Sequence, residues 1–170
     1  MSAKARKHLQ SVDAKLYSYI ERIEIPVFVR RRDYFAELCD TIISQQLSGK
    51  AASTIFERFK ALFPAKKITV KKLLKLPDEK IRSCGTSWAK VRSLKDLAQK
   101  VKDGNILLEK LDVMGDEEVK NHLIQIKGIG PWSAEMFLMF ALGREDIFSF
   151  GDLGLKKGLM KVHGLKKEPT

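Results

Sequence analysis

The stretch IKGIGPWSAEMFLMFAL, from Ile126 to Leu142, decides the fold because a tight turn interrupts an otherwise helical pattern within it. Gly128 and Gly130 are expected to adopt φ values that a side chain would forbid, so that the chain reverses within a few residues. Pro131 suits the first turn of a following helix, where no backbone N–H is needed. The stretch therefore predicts a helix–hairpin–helix motif over about residues 119–142.

The start of the second helix of this motif is a candidate anion site. Backbone N–H groups without helical partners and the positive end of the helix dipole point outward there. The glycines let a phosphate group approach the backbone closely, and such contacts position a protein on nucleic acid without reading its sequence. The alternative is a plain Gly-x-Gly turn between two core helices, and the hairpin residues by themselves leave both interpretations open.

Apolar residues recur at helical spacing along almost the whole chain, and no long alternating segment or Asn-Gly hairpin signal appears. We therefore predict an all-α fold, a compact bundle of about ten short helices in one domain over residues 1–170. Because these stripes are expected to be used by packing within the chain, we expect a monomer. The stripes are Leu9, Val12, Leu16 and Ile20; Tyr34, Leu38, Ile42 and Ile43; Ala52, Ile55, Phe59 and Leu62; Val91, Leu94, Leu97 and Val101; Val119, Leu123 and Ile126; and Ala134, Phe137, Leu138 and Ala141.

Basic residues dominate the chain: 32 Lys and Arg stand against 21 Asp and Glu, a formal net charge of +11. Such an excess favours a polyanionic partner, and a basic but non-specific surface is the alternative. The lysine-rich segment Lys66–Lys75 is expected to be a solvated helix face. The longest apolar stretch, Met136–Leu142, is far shorter than the roughly 20 residues of a membrane span, and the N-terminus lacks a secretory signal pattern. We expect an intracellular protein without membrane contact, in the cytoplasm or nucleoid of a prokaryote or the nucleus of a eukaryote.

The two cysteines, Cys39 and Cys84, are too few for a four-thiolate zinc or iron–sulfur site, and no metal site is predicted. Their surroundings are apolar or mixed, which favours reduced structural thiols, with a disulfide as the alternative.

Four segments resemble one family. LIQIKGIGPWSAEMF and DIFSFGDLGLKKGL are similar to the motif of the helix-hairpin-helix DNA glycosylase superfamily, which also carries a Gly/Pro-rich loop and an aspartate. DTIISQQLSGKAASTIFERF and CGTSWAKVRSLKDLA resemble segments of its alkylation-repair branch, the 3-methyladenine DNA glycosylases. The matches run in the family's order from Tyr34 to about Met160. The resemblance implies a DNA-glycosylase-like fold and double-stranded DNA as the partner.

The resemblance implies a hairpin backbone, at Gly128, Ile129 and Gly130, that grips DNA phosphate, with a monovalent cation, sodium or potassium, often bound there. No other cofactor is expected. Lyase-competent members of the superfamily carry a lysine nucleophile two residues after the second hairpin glycine, where this chain has Trp132. The resemblance therefore implies a monofunctional enzyme of base excision repair, which uses water and leaves an abasic site.

The family's aspartate corresponds to Asp152, twenty residues after Trp132 and directly before the next helical run. The resemblance implies that Asp152 is catalytic, stabilising oxocarbenium character on the deoxyribose while a flipped, alkylated purine such as 3-methyladenine or 7-methylguanine leaves. Asp152 is also a natural helix N-cap, which is compatible with that role.

An aromatic residue at the place of Trp132 lines the base pocket in the family, and cation–π attraction would favour a cationic base. A core position is the alternative for Trp132. The family often has a second aromatic residue four positions later, where this chain has Met136, which can also pack on a base.

Further DNA contacts are expected at two places. Trp88 is the candidate wedge that fills the gap left by the flipped nucleotide, with a buried position as its alternative, and Ser87 and Lys90 are candidate phosphate contacts. Gln45 and Gln46 are candidates for probing the opposite base or lining the duplex, and a polar pair at the end of a helix is their alternative.

The chain also departs from the family's pattern. Gly151 stands where many relatives carry a second acidic residue, and only eighteen residues follow Asp152, where relatives usually continue with another helix or two. Either a short version with an open site or an incomplete chain is expected. Two other functions stay open: a DNA-binding or damage-sensing module with little or no catalysis, and a glycosylase for other damaged bases.

Overall fold

The computed structural model describes residues 3–25 and 29–169. Within these ranges the chain is helical and contains no strand, which confirms the all-α prediction and its count of ten α-helices. Two short 3₁₀ turns, Pro64–Lys66 and Leu108–Lys110, connect helices. The helices are α1 (Ala3–Val12), α2 (Ala14–Ile20), α3 (Tyr34–Ser44), α4 (Gly49–Lys60), α5 (Val70–Lys75), α6 (Asp78–Arg82), α7 (Trp88–Lys102), α8 (Asp116–Leu123), α9 (Pro131–Phe140) and α10 (Leu153–His163).

The chain divides into two compact units. The larger unit, Val29–Ile147, contains α3 to α9; the smaller consists of the described parts of Met1–Phe28 and Phe148–Thr170. The organisation of residues 1–170 as one domain stays a prediction.

In the larger unit, α7 lies among α3, α5 and α6, and its apolar stripe is buried as its spacing predicts. The Ser87 hydroxyl begins α7 by accepting a 3.2 Å hydrogen bond from the Lys90 N–H, and Gly104, at φ 75°, lets the chain turn after it. Leu94 is completely buried, so we expect Leu94→Ala to destabilise the fold by about 2–5 kcal/mol.

Helices α3 and α9 pack together through aromatic residues. The rings of Tyr34 and Phe137 meet edge to face with centroids 5.9 Å apart. Asp33 begins α3, because its carboxylate accepts a hydrogen bond of 3.1 Å from the Ala36 N–H. This pairing places α3 beside the second helix of the hairpin motif.

The apolar stripe from Leu9 to Ile20 forms two helices rather than one. The Asp13 carboxylate accepts a 3.0 Å hydrogen bond from the Leu16 N–H, so Asp13 ends α1 and caps α2. Val12 is consequently 63% exposed instead of continuing the stripe. In the same unit, Nε2 of His163 on α10 lies 3.1 Å from an Asp13 carboxylate oxygen.

The cysteines and the lysine-rich segment have the surroundings that the sequence predicts. Cys39 and Cys84 are buried free thiols, and burial raises the pKa of both. All five lysines between Lys66 and Lys75 are exposed, as expected for a solvated face. Among the described residues, every helix is too short or too polar to cross a bilayer.

Candidate functional site

The hairpin turn needs a glycine at one of its two positions. Gly128 has a φ of 81°, and a Cβ there would come within 2.6 Å of the Ser93 hydroxyl oxygen on α7. Gly130 instead has a φ of −101° and a ψ of 178°, so the expectation of an unusual φ at Gly130 was wrong. The reason is Pro131, which restricts the preceding residue to extended backbone.

Ile129, at the tip of the hairpin, anchors the turn through its buried side chain. The Ile129 N–H donates a 3.0 Å hydrogen bond to the Ile126 carbonyl, and the Ile129 side chain is only 5% exposed. Ile129 therefore belongs to the core through its side chain. Any DNA contact at Ile129 would have to use backbone atoms.

Helix α7 fixes the hairpin through a carboxylate that the sequence analysis missed. Asp96 accepts hydrogen bonds from the Lys127 N–H at 2.8 Å and from Lys100 Nζ at 2.6 Å. Burial acts to raise the pKa of Asp96, but the hydrogen bonds from Lys100 and the Lys127 N–H outweigh it and lower that pKa. A charged Asp96 therefore helps to hold the turn against α7.

Gln45 and Lys90 make contacts within the protein that the sequence analysis did not anticipate. The Gln45 side-chain amide donates to the Gly128 carbonyl at 2.7 Å and to the Ser133 hydroxyl at 3.1 Å. Lys90 Nζ donates to the carbonyls of Ile43 and Gln45, both at 2.7 Å, and covers the C-terminal end of α3. Burial lowers the pKa of Lys90. Both side chains thus support the site from within, and their contacts with DNA stay predictions.

The neighbouring Gln46 and the start of α7 are exposed. Gln46 has a φ of 58°, a left-handed conformation that costs a non-glycine residue about 1 kcal/mol or more. Trp88 is the first residue of α7 and is 48% exposed, which excludes a buried position. The exposed Ser87 hydroxyl caps that helix. Their roles on DNA stay predictions.

A cleft of about 460 Å³ lies between α3 and α9, within the size range of small-molecule sites in proteins. Trp132, Met136 and Phe140 line its α9 side at intervals of four residues, which places them along one helix face. Trp132 is 45% exposed and Phe140 is 47% exposed, so Trp132 is not a core residue. Phe140, missed in the sequence, supplies an aromatic ring one turn beyond Met136.

The opposite wall of the cleft is acidic. Glu37, Asp40 and Ser44 on α3 line it, and Asp40 Oδ1 accepts a 2.9 Å hydrogen bond from the Ser44 hydroxyl. Burial raises the pKa of Glu37; Arg31 lowers that pKa, and the charges of Asp40 and Asp33 raise it further. The three lining positions follow helical spacing into the SQQ segment, a signal that could have identified them from the sequence.

Asp152 lies in the smaller unit. Its Oδ1 accepts a 2.6 Å hydrogen bond from the Leu155 N–H, which confirms the predicted N-cap of α10. Two aromatic residues precede it, Phe148 and Phe150, whose rings meet edge to face with centroids 4.9 Å apart. Gly151, beside it, is exposed.

Two known proteins are similar to this chain over almost its whole length. The DNA-3-methyladenine glycosylase 1 of Schizosaccharomyces pombe is 35% identical, over 98% of this chain and 75% of that protein. The DNA-3-methyladenine glycosylase of Saccharomyces cerevisiae is 37% identical, over 96% of this chain and 60% of that protein.

A solved structure is similar as well. The Schizosaccharomyces pombe 3-methyladenine DNA glycosylase in complex with abasic DNA matches with a TM-score of 0.87 and 34% identity, over 99% of this chain and 84% of that one. The family model described as HhH-GPD superfamily base excision DNA repair protein matches residues 39–170. The chain belongs to the HhH-GPD superfamily of base excision DNA repair proteins.

Proposed function

We propose that this protein is a monofunctional DNA glycosylase, which hydrolyses the N-glycosidic bond of alkylated purines in duplex DNA. The observation that supports this proposal best is the position of Trp132. It stands directly after the hairpin turn, half exposed, on the wall of a cleft large enough for a purine. The relatives named 3-methyladenine glycosylases support the choice of substrate class.

The base must leave the duplex before its glycosidic bond can be reached. A purine alkylated at N3 or N7 carries a positive charge on its ring. The Trp132 indole would attract that charge by about 0.5–2 kcal/mol beyond neutral stacking, with Met136 and Phe140 packing beside it. The half-exposed Trp88 would fill the gap that the flipped nucleotide leaves.

Hydrolysis of the N-glycosidic bond requires one carboxylate near the sugar. As the bond between the sugar C1′ and the purine nitrogen breaks, the base leaves with the electron pair and positive charge develops on the deoxyribose. We assign Asp152 to stabilise this charge and to orient or deprotonate the water that adds to C1′. Asp152 receives this role from its spacing after the hairpin and from its chemistry. Since Trp132 cannot form a Schiff base, the product would be an abasic site in an intact strand.

The hairpin would grip the DNA backbone. Glycine at residues 128 and 130 and the N-terminal end of α9 would let a phosphate approach the main chain, and the net charge of +11 would add long-range attraction. The protein would act as a monomer on duplex DNA inside the cell.

A monovalent cation, sodium or potassium, would take carbonyl oxygens of the hairpin as ligands. The fit is reasonable because the Ile126 carbonyl accepts the Ile129 N–H, and a carbonyl oxygen has a second lone pair. Replacing sodium chloride by tetramethylammonium chloride at equal ionic strength should then weaken DNA binding. No other cofactor would be required.

Single-turnover release of 7-methylguanine tests the catalytic assignment, with the parent protein compared with Asp152→Asn. Asparagine caps helices as well as aspartate does, so this variant should fold. We expect loss of excision by at least a hundredfold with DNA binding intact. The exposed Asp146 provides the matched control, since Asp146→Asn removes the same charge six residues earlier. Equal excision by both variants would contradict the assignment.

A binding or damage-sensing module with weak or no catalysis is the second candidate. Two observations favour it: Met136 replaces an aromatic residue of the family, and Gly151 replaces an acidic one. Duplex binding by the parent without release of any alkylated purine would support this alternative. Release of deaminated purines or mismatched pyrimidines in their place would support a glycosylase for other damaged bases.

A further inference from the structure

Two carboxylates on α3 line the same cleft as the aromatic residues of α9. Glu37 and Asp40 are three residues apart and therefore share one face of the helix. The Glu37 side chain is only 34% exposed, and Nε of Arg31 lies 3.9 Å from its Oε1, which is long for an ion pair. The Asp40 carboxylate is held by the Ser44 hydroxyl at 2.9 Å.

Negative charge at this place is unfavourable for a DNA-binding protein unless something compensates for it. The chain carries a net charge of +11, yet this cleft would bring two carboxylates close to the phosphates of DNA. Partial burial also disfavours the charged form of Glu37, as its raised pKa indicates. Arg31 compensates only in part, because its side chain is 62% exposed and burial outweighs its effect on the pKa of Glu37.

A cation in the cleft would remove this cost, and the opposite wall selects for the same charge. Aromatic side chains such as Trp132 and Phe140 attract a positive group, and the cleft volume of about 460 Å³ is sufficient for a planar one. The aromatic wall and the acidic wall thus both discriminate in favour of a base with positive charge on its ring. A neutral base would gain stacking alone.

We propose that Glu37 and Asp40 are specificity-determining residues that favour cationic alkylpurines over neutral bases in the α3–α9 cleft. This inference rests on the proposed function, since it names the property by which that site would choose its substrate. The two carboxylates act on the base, through the field across the cleft, before the bond breaks. They leave the chemistry at the sugar to Asp152.

The first test compares excision of two bases under single-turnover conditions. Duplexes carry either 7-methylguanine, which is cationic, or 1,N6-ethenoadenine, which is neutral. We expect the ratio of the two rates to fall about tenfold in Glu37→Gln/Asp40→Asn, with a smaller fall in each single variant. The matched control is Glu118→Gln, which removes one charge from the exposed face of α8. An unchanged ratio in the double variant would overturn the inference.

The second test measures binding without catalysis. The probes are 3,9-dimethyladeninium, a permanent cation, and 9-methyladenine, its neutral counterpart. Quenching of tryptophan fluorescence in a Trp88→Phe background reports on Trp132, which lines the cleft. We expect the cation to bind at least tenfold more tightly, and we expect this preference to disappear in the double variant but not in Glu118→Gln. Equal affinity for both probes in the parent would overturn the inference.

The two tests separate this inference from the proposed function. A parent protein that releases no base yet prefers the cationic probe, in a manner that depends on Glu37 and Asp40, supports the inference and contradicts the glycosylase. A parent that releases 7-methylguanine with the same rate ratio and probe preference as its double variant supports the glycosylase and contradicts the inference. Thermal unfolding of each variant shows that the compared proteins are folded.

Discussion

The side-chain amide of Gln45 donates a 2.7 Å hydrogen bond to the carbonyl oxygen of Gly128, which lies 83 residues later in the chain. The same amide reaches the Ser133 hydroxyl in the first turn of α9. One side chain at the end of α3 thus holds both the hairpin and the helix that follows it. Gln45 therefore links the α3 side of the cleft to the hairpin turn.

Gln45→Ala should weaken this link. Two hydrogen bonds are lost, so we expect the free energy of unfolding to fall by about 1–2 kcal/mol and duplex affinity to fall with it. Urea unfolding and fluorescence anisotropy with a labelled duplex measure the two effects. The control is Gln125→Ala, because Gln125 is exposed and its side-chain amide donates a 3.3 Å hydrogen bond to the Asn121 carbonyl one turn earlier. Equal losses in the two variants would show that the link contributes nothing.

The two hairpin glycines should respond differently to alanine. In Gly128→Ala the new Cβ meets the Ser93 hydroxyl and the backbone retains a positive φ, so we expect a loss of at least about 2 kcal/mol in stability. Gly130 has extended backbone and nothing within 4 Å of a Cβ, so Gly130→Ala should cost less than about 1 kcal/mol. Chemical denaturation of both variants measures the difference. The same large loss at both positions would contradict the described turn.

Trp132 should matter for excision through its aromatic face. Trp132→Leu keeps an apolar side chain but loses the cation–π attraction, and we expect 7-methylguanine release to slow by about three- to thirtyfold. Trp132→Phe should retain most of the activity. Single-turnover rates at saturating protein measure both. Equal rates for the phenylalanine and leucine variants would mean that Trp132 provides bulk alone.

The stability of the hairpin should depend on pH through Asp96. Its pKa is lowered in the folded protein, so its carboxylate stabilises the fold above the unfolded pKa of about 4. That contribution disappears as the pH falls through the lower, folded-state pKa. We expect Asp96→Asn to be less stable than the parent at pH 7 and the difference to shrink below about pH 4. Urea unfolding at several pH values measures the difference, and a gap that widens on acidification would contradict this sign.

The helices and the hairpin could be predicted because their signals are local. The apolar spacing within α7, the Asp152 cap and the proline after Gly130 each act over a few residues, and the structure contains all three. The stripe from Leu9 to Ile20 forms two helices because the Asp13 cap outweighs the continuity of the apolar spacing. Gly130 was misjudged because the restriction imposed by Pro131 acts on its backbone.

The cleft could be predicted only in part, because it depends on which helices pack together. Trp132 and Met136 follow from the motif, whereas Glu37 and Phe140 acquire meaning only once α3 lies beside α9. The contacts of Gln45 and Lys90 span more than forty residues of sequence, and no periodic pattern reports them. Gln45 and Lys90 were therefore interpreted as DNA contacts, although their side chains also form hydrogen bonds that stabilise the protein.

Hydrolytic release of alkylated purines is tested most directly by incubating methylated duplex DNA with the parent protein. Both products of the reaction, the free base and the DNA strand, are then analysed. Mass spectrometry should detect free 7-methylguanine, and the strand should remain intact until alkali cleaves it at the abasic site. That result is predicted by a hydrolytic glycosylase with tryptophan in place of the lyase lysine. Strand cleavage without alkali, or DNA that is bound but retains all of its methylated bases, would contradict the account.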